Sequence, residues 1–194
     1  LEAKLDKERV RAVYRTMAAH YDTWSRLVES KAHQRCLELA AIINGEAILE
    51  IAVGTGILFE QVLKTNPNGR NEGVDLSPEM LAHAKFRAEK SGPRHWELNV
   101  GDAYNLDYPD NSFDALLNNY MFDLIPERDF PHILSEFKRV LHPGGRIVIA
   151  NMTEGARWFN AIWNWLYELN PELVGGCRGI KLGPYVRRAG FEDI

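Results

Sequence analysis

The sequence predicts an α/β fold, a mostly parallel twisted sheet with helices on both faces, and three observations lead there. Short apolar runs alternate with segments of helical periodicity between residues 47 and 150. The runs are nearly continuous in apolar residues, as in strands buried on both faces. Most are separated by enough chain for a crossover helix, which parallel neighbours require.

The elements follow in order. Lys4 to Ala19 is expected to form a helix of alternating charge, and Ala19-His20-Tyr21-Asp22-Thr23-Trp24-Ser25 follows it. Arg35 to Ile43 carries Cys36, Leu37, Leu39, Ala40 and Ile43 at helical spacing. Ala47 to Ala52 is the first strand, closed by glycines, and Ile57 to Leu63 the helix after it. Asn66-Pro67-Asn68-Gly69 is a turn, and Asn71 to Leu76 the second strand. Ser77 can cap the next helix with Pro78 at its first position; Met80, Leu81, Ala84 and Ala88 form the apolar stripe. Trp96 to Val100 and Phe113 to Leu117 are the third and fourth strands. Pro131 opens a helix with Ile133, Leu134, Phe137, Val140 and Leu141 on one face. His142-Pro143-Gly144-Gly145 ends it, and Arg146 to Ala150 is the fifth strand.

Composition narrows the function. The 194 residues are 45% hydrophobic and 26% charged, ordinary values for a globular protein. A net charge of −4 and a pI near 5.9 supply no field for nucleic acid, so no nucleic-acid partner is expected. Cys36 and Cys177 stand far apart, and the six histidines form no HExxH-like pair, so neither a disulfide framework nor a metal site is expected. No apolar run reaches the ~18 residues of a membrane span, and the first residues are charged rather than signal-like. A cytoplasmic location is the expectation. Leu1 at the start, and a strand expected to begin in Gly190 to Ile194, suggest trimmed ends.

Three places carry chemistry. Glu50-Ile51-Ala52-Val53-Gly54-Thr55-Gly56 lies between a strand and a helix, where glycines let a ligand approach the backbone. In open α/β sheets ligands sit beyond the carboxyl ends of the strands, at the switch point of the strand order. The plainer alternative is a tight turn without a ligand. Asp75 follows the second strand, about 20 residues beyond the glycines, where a carboxylate can accept both hydroxyls of a ribose. A helix-flanking acid would look the same. Asp102, in Gly101-Asp102-Ala103 after the third strand, can accept from an adenine amino group, or be a solvated turn residue.

Together these segments resemble the class I S-adenosylmethionine-dependent methyltransferases, and so a Rossmann-like methyltransferase fold with an N-terminal helical extension. ILEIAVGTG is similar to the family's glycine-rich motif, GVDLSPEMLAHA to its ribose-binding strand and helix, and VGDAYNLDYPDNSFDALLNNYMFDLI to its third and fourth strands. FKRVLHPGGRIVIA resembles the following helix, turn and strand; YRTMAAHYDTWS and GPYVRRAGFEDI also look familial. The resemblance implies S-adenosylmethionine as cofactor. It implies Glu50, Gly54, Thr55 and Gly56 around the methionine part, Asp75 and Leu76 at the ribose, and Asp102 and Ala103 at the adenine. Asn118 and Tyr120 fall where the fourth strand opens towards the methyl group. Ala52 departs from the family, which often has glycine there, but the backbone path is expected to survive. The hairpin that completes the sheet in this fold is expected to be missing.

One domain over residues 1–194 is expected, with a helical extension or lid at 1–45 and a core at 46–194. The reaction expected is in-line methyl transfer to a small acceptor, apolar or aromatic, quinone-like or lipid, with peripheral membrane contact as one option. His20, Tyr21, Tyr120 and Asp123 are candidate bases by position, and each reads equally as pocket wall or structural partner. Trp158 to Tyr167 is expected to be either an acceptor lid or a helix buried in the core or at a dimer contact. A dehydrogenase is the alternative, but its Gly-x-Gly-x-x-Gly pattern fails at Phe59, and no GxxxxGK[ST] occurs for an ATPase or kinase. A non-catalytic S-adenosylmethionine-binding protein is the remaining alternative.

Overall fold

In a computed structural model, residues 3, 8–9, 12, 30–92, 95–153, 164–171 and 176–194 are described. Along the chain run α1 (Ser30–Ala40), β1 (Ala47–Ile51), α2 (Ile57–Thr65), β2 (Arg70–Asp75), α3 (Pro78–Lys90), β3 (Trp96–Val100) and β4 (Phe113–Asn119). Two 3₁₀ turns at Phe122–Leu124 and Glu127–Asp129 lead into α4 (Phe130–Val140), followed by β5 (Leu141–Ala150) and α5 (Gly183–Arg188). Residues 164–169 are also helical. The first expected helix falls almost wholly outside the described residues.

The five strands are all parallel, in the order β3-β2-β1-β4-β5. The chain moves outward from β1 to β3 and then returns to β4 on the other side of β1. Such a reversal leaves a crevice beyond the carboxyl ends of β1 and β4. Side chains alternate along each strand. Leu49, Ile51 and Leu116 therefore pack with Phe130, Ile133, Leu134 and Phe137 of α4 and Val186 of α5. Ile48, Ala115 and Leu117 face Cys36 and Ala40 of α1 and Leu58 and Val62 of α2. Leu98 of β3 meets Phe59 and Leu63 of α2 and Leu81, Ala84 and Ala88 of α3.

Local signals account for most boundaries. The Ser77 hydroxyl accepts from the Met80 N–H at 3.2 Å, and Pro78 occupies the first turn, where its missing N–H costs nothing. α1 differs from expectation, starting at Ser30 and ending at Ala40. Its end is set by a distant residue: the Arg146 guanidinium pairs with both carboxylate oxygens of Glu46, at 2.9 and 2.6 Å, while its Nε donates to the Ala40 carbonyl. β5 also differs. Leu141 already pairs with Phe113, and the next pair is Ala115 with Arg146, so His142 to Gly145 bulge out of the ladder. Gly144, with φ of 81°, makes that detour at no steric cost. The strand expected at Gly190 to Ile194 is absent: residues 189–190 form a turn and 191–194 pair with no strand. Among the described residues, no helix is long and apolar enough to cross a membrane.

Candidate functional site

The turn after β1 is built from backbone that L residues rarely adopt. Ala52, Gly54 and Gly56 have φ of 59°, 58° and 81°. Ala52 thus keeps the path a glycine would take and bears a left-handed strain of about 1–2 kcal/mol. The two glycines serve different ends. A Cβ on Gly56 would lie 2.9 Å from both Cα and Cβ of Ala84, so this glycine lets α2 and α3 close on each other. A Cβ on Gly54 would meet no atom within 4 Å. That glycine leaves open the space in front of the turn.

Asp75 ties this turn to its neighbour. Its Oδ2 accepts from the Gly54 N–H at 2.7 Å and its Oδ1 from the Ser77 N–H at 2.9 Å. Burial raises its pKa, and the backbone donors, Leu76 among them, oppose the rise. With Gly54, Ser77 and Leu76 donating, the carboxylate still keeps acceptor capacity for a ligand. Leu76 is half-buried beside it. Asp102 accepts from the Tyr104 N–H at 3.1 Å and so shapes its own turn, with Ala103 buried in the core next to it. Asn118 is fully buried; its amide donates to the Ile51 carbonyl at 2.9 Å and joins β1 to β4 at the crevice.

Period-two alternation sends Glu50 and Asn119 to the α1 side of the sheet. There a cavity is lined by His33, Glu50, Ala52–Leu58 without Gly56, Asn119 and Tyr120. Glu50 is only 3% exposed, and its Oε2 has no hydrogen-bond partner among the described residues; the same is true of Thr55 Oγ1 and Asn118 Oδ1. Burial, with the charge of Asp75 added, holds the Glu50 carboxyl well above the usual range. Burial and the charge of Glu50 push the Cys36 thiol up to about 12, against a hydrogen bond from Asn119. Burial also lowers the pKa of His33. Sequence reasoning passed over His33, Cys36 and Asn119. The three-residue spacing of His33 and Cys36, which puts them on one helix face, was the available signal.

The candidate bases are scattered. Tyr120 lines the cavity with φ of 54°, held there by its N–H to the Ala150 carbonyl at 2.8 Å. Asp123 is fully buried, and its Oδ2 accepts from the Met152 N–H at 3.0 Å. His20 and Tyr21 lie outside the described residues, as do positions 158–163 of the aromatic stretch. In its remainder Trp165 is 63% exposed, whereas Tyr167 is completely buried.

The chain matches a family model described as methyltransferase domain over residues 48–145. It is 31% identical to the demethylmenaquinone methyltransferase of Thermotoga maritima, over 88% of this chain and 74% of that protein. The chain belongs to the class I S-adenosylmethionine-dependent methyltransferases. It is also 28% identical to the arsenite methyltransferase of Halobacterium salinarum, over 80% of this chain but only 39% of that protein. Within this methyltransferase family, the chain thus spans well under half the length of one relative and about three quarters of the other. A solved S-adenosylmethionine-dependent methyltransferase from Thermotoga maritima superposes with a TM-score of 0.67 at 25% identity, over 95% of this chain and 82% of that one.

The crevice suits the family's cofactor, S-adenosylmethionine. A cation that also bears an amine is suited by a carboxyl group shielded from water, and Glu50 holds a buried oxygen without a partner among the described residues. A bulky nucleoside needs open backbone, which Gly54 leaves.

Proposed function

We propose that this chain carries a methyl group from S-adenosylmethionine to a small apolar acceptor of the quinone type. The observation that carries the reading is the open glycine turn at the switch point, sharing a cavity with a buried Glu50 oxygen that has no partner among the described residues. The cofactor supplies a methyl group already activated on sulfonium sulfur. What the chain supplies is position and a dry site. Asp75 takes the ribose hydroxyls on its remaining lone pairs. Asp102 and Ala103 border the adenine, with Leu76 as an apolar wall. Glu50, Gly54, Thr55 and Gly56 surround the methionine part, and Asn118 and Tyr120 border the methyl group. Tyr120 and Asp123 are the candidates within the described residues for holding an acceptor proton. Tyr120 lines the cavity whereas Asp123 does not, which favours the tyrosine.

Support for the acceptor class comes from similarity to proteins named demethylmenaquinone methyltransferase in several bacteria. Exposed Trp165 and Leu169, four residues apart on one short helix, would suit contact with a lipid-borne molecule. The test is transfer of a labelled methyl group from S-adenosylmethionine to a demethylated quinone. Labelled methylated quinone is expected, and Asp75→Ala should weaken cofactor binding at least tenfold, since a hydrogen bond to a charged group is worth about 1.5–3 kcal/mol. Calorimetry that finds no binding of the cofactor but tight binding of a nicotinamide dinucleotide would overturn the reading.

A further inference from the structure

The cavity between α1 and the glycine turn is lined by groups of opposite chemistry. One is the Glu50 carboxyl, buried and with an oxygen that has no partner among the described residues. The others are His33 and the first turn of α2, whose Ile57 and Leu58 line the same space. Gly56 caps α2 without any side-chain hydrogen bond, so the positive end of that helix lies at the turn whose Ile57 and Leu58 line the cavity. An acid that shares a cavity with an imidazole and a helix N-terminus suits a group bearing an ammonium and a carboxylate a few ångströms apart. An α-amino acid is such a group.

We propose that His33 receives the α-carboxylate of the cofactor's amino-acid end while Glu50 takes the ammonium, so that cofactor capture is coupled to protonation of His33. This rests on the cofactor reading above. Among the described residues, the titratable groups lining the cavity with His33 are Glu50 of β1 and Tyr120 after β4; Cys36 lies on its own helix. The Cys36 thiol, at about 12, stays neutral. Because burial lowers its pKa, His33 is neutral in the free protein near neutral pH. A carboxylate beside it favours the imidazolium, so binding takes up a proton, and this contribution to affinity fades as pH rises through the value in the complex. Glu50 acts in the opposite sense: its raised pKa falls beside an ammonium, a proton is released, and affinity gains as pH rises. The His33 limb is therefore isolated by comparing variants, not by the wild-type profile alone.

The experiment is calorimetry of the whole chain with S-adenosylhomocysteine, which keeps the amino-acid end, and with methylthioadenosine, which lacks it. Both are titrated between about pH 5.5 and 8.5. His33→Asn should bind S-adenosylhomocysteine on the order of tenfold more weakly than wild type at the acid end, with the gap closing severalfold at the alkaline end. His33→Arg, charged throughout, should keep tight binding at both ends. Methylthioadenosine should bind all three proteins alike at every pH. A pH-independent gap, or an equal loss for methylthioadenosine, would overturn the role of His33 while leaving the cofactor reading intact. Failure of both nucleosides to bind the folded wild type would overturn the cofactor reading itself.

Discussion

Gly54 and Gly56 are two residues apart and look interchangeable, yet the structure predicts opposite consequences for the same substitution. Alanine at Gly54 adds a methyl group where no atom lies within 4 Å, at φ of 58°. Its stability cost is the left-handed strain alone, about 1–2 kcal/mol. For a chain of this size that lowers Tm by about 2–8 °C. The new methyl projects into the space before the turn, so S-adenosylhomocysteine affinity should fall at least tenfold. Alanine at Gly56 has the same kind of strain at φ of 81°, and its Cβ would also sit 2.9 Å from two backbone-proximal atoms of Ala84. Overpacking of that kind adds about 1–3 kcal/mol, and Tm should fall by up to about 20 °C. Where Gly56→Ala is still folded, each molecule should bind the cofactor more nearly normally than Gly54→Ala does. Differential scanning calorimetry and titration calorimetry on both variants make the comparison. Equal melting losses, or a Gly54→Ala protein that binds normally, would refute the division of labour between the glycines.

Other outcomes follow from the same geometry. Glu50 has a folded-state pKa raised above its unfolded value, so its ionisation opposes folding as pH rises through the folded value; Glu50→Gln should therefore raise Tm at neutral pH while weakening cofactor binding, and a lower Tm would contradict this. Ala52→Gly relieves the strain at φ of 59° and should stabilise by about 0.5–1 kcal/mol, measured in urea unfolding, once the extra chain entropy of glycine is allowed for. Trp165→Ala should move stability by no more than about 0.5 kcal/mol, because Trp165 is 63% exposed. Tyr167→Ala should cost about 3–5 kcal/mol as for other large buried aromatics; thermal melts showing the reverse order would mean that the segment packs differently.

The fold was legible because its signals are local. Alternating periods of 2 and 3.6 mark strands and helices within a few residues, and the Ser77–Pro78 start of α3 is written in adjacent positions. The glycine turn, Asp75 and Asp102 are singled out the same way, since each follows a strand end. What sequence could not order was the set of contacts made across the fold. Only the tertiary structure puts Ala84 against Gly56, Gly54 and Ser77 N–H groups on the two oxygens of Asp75, and Arg146 on Glu46 100 residues away. It likewise decides that Tyr167 is core while Trp165 faces solvent, although both sit in one aromatic run. His33, Glu50 and Asn119 share a cavity because β1 and β4 are neighbours and α1 packs on that face of the sheet. Pattern within one segment says which face a side chain takes; which segment lies opposite is settled by strand order and packing, and the site is made of those opposites.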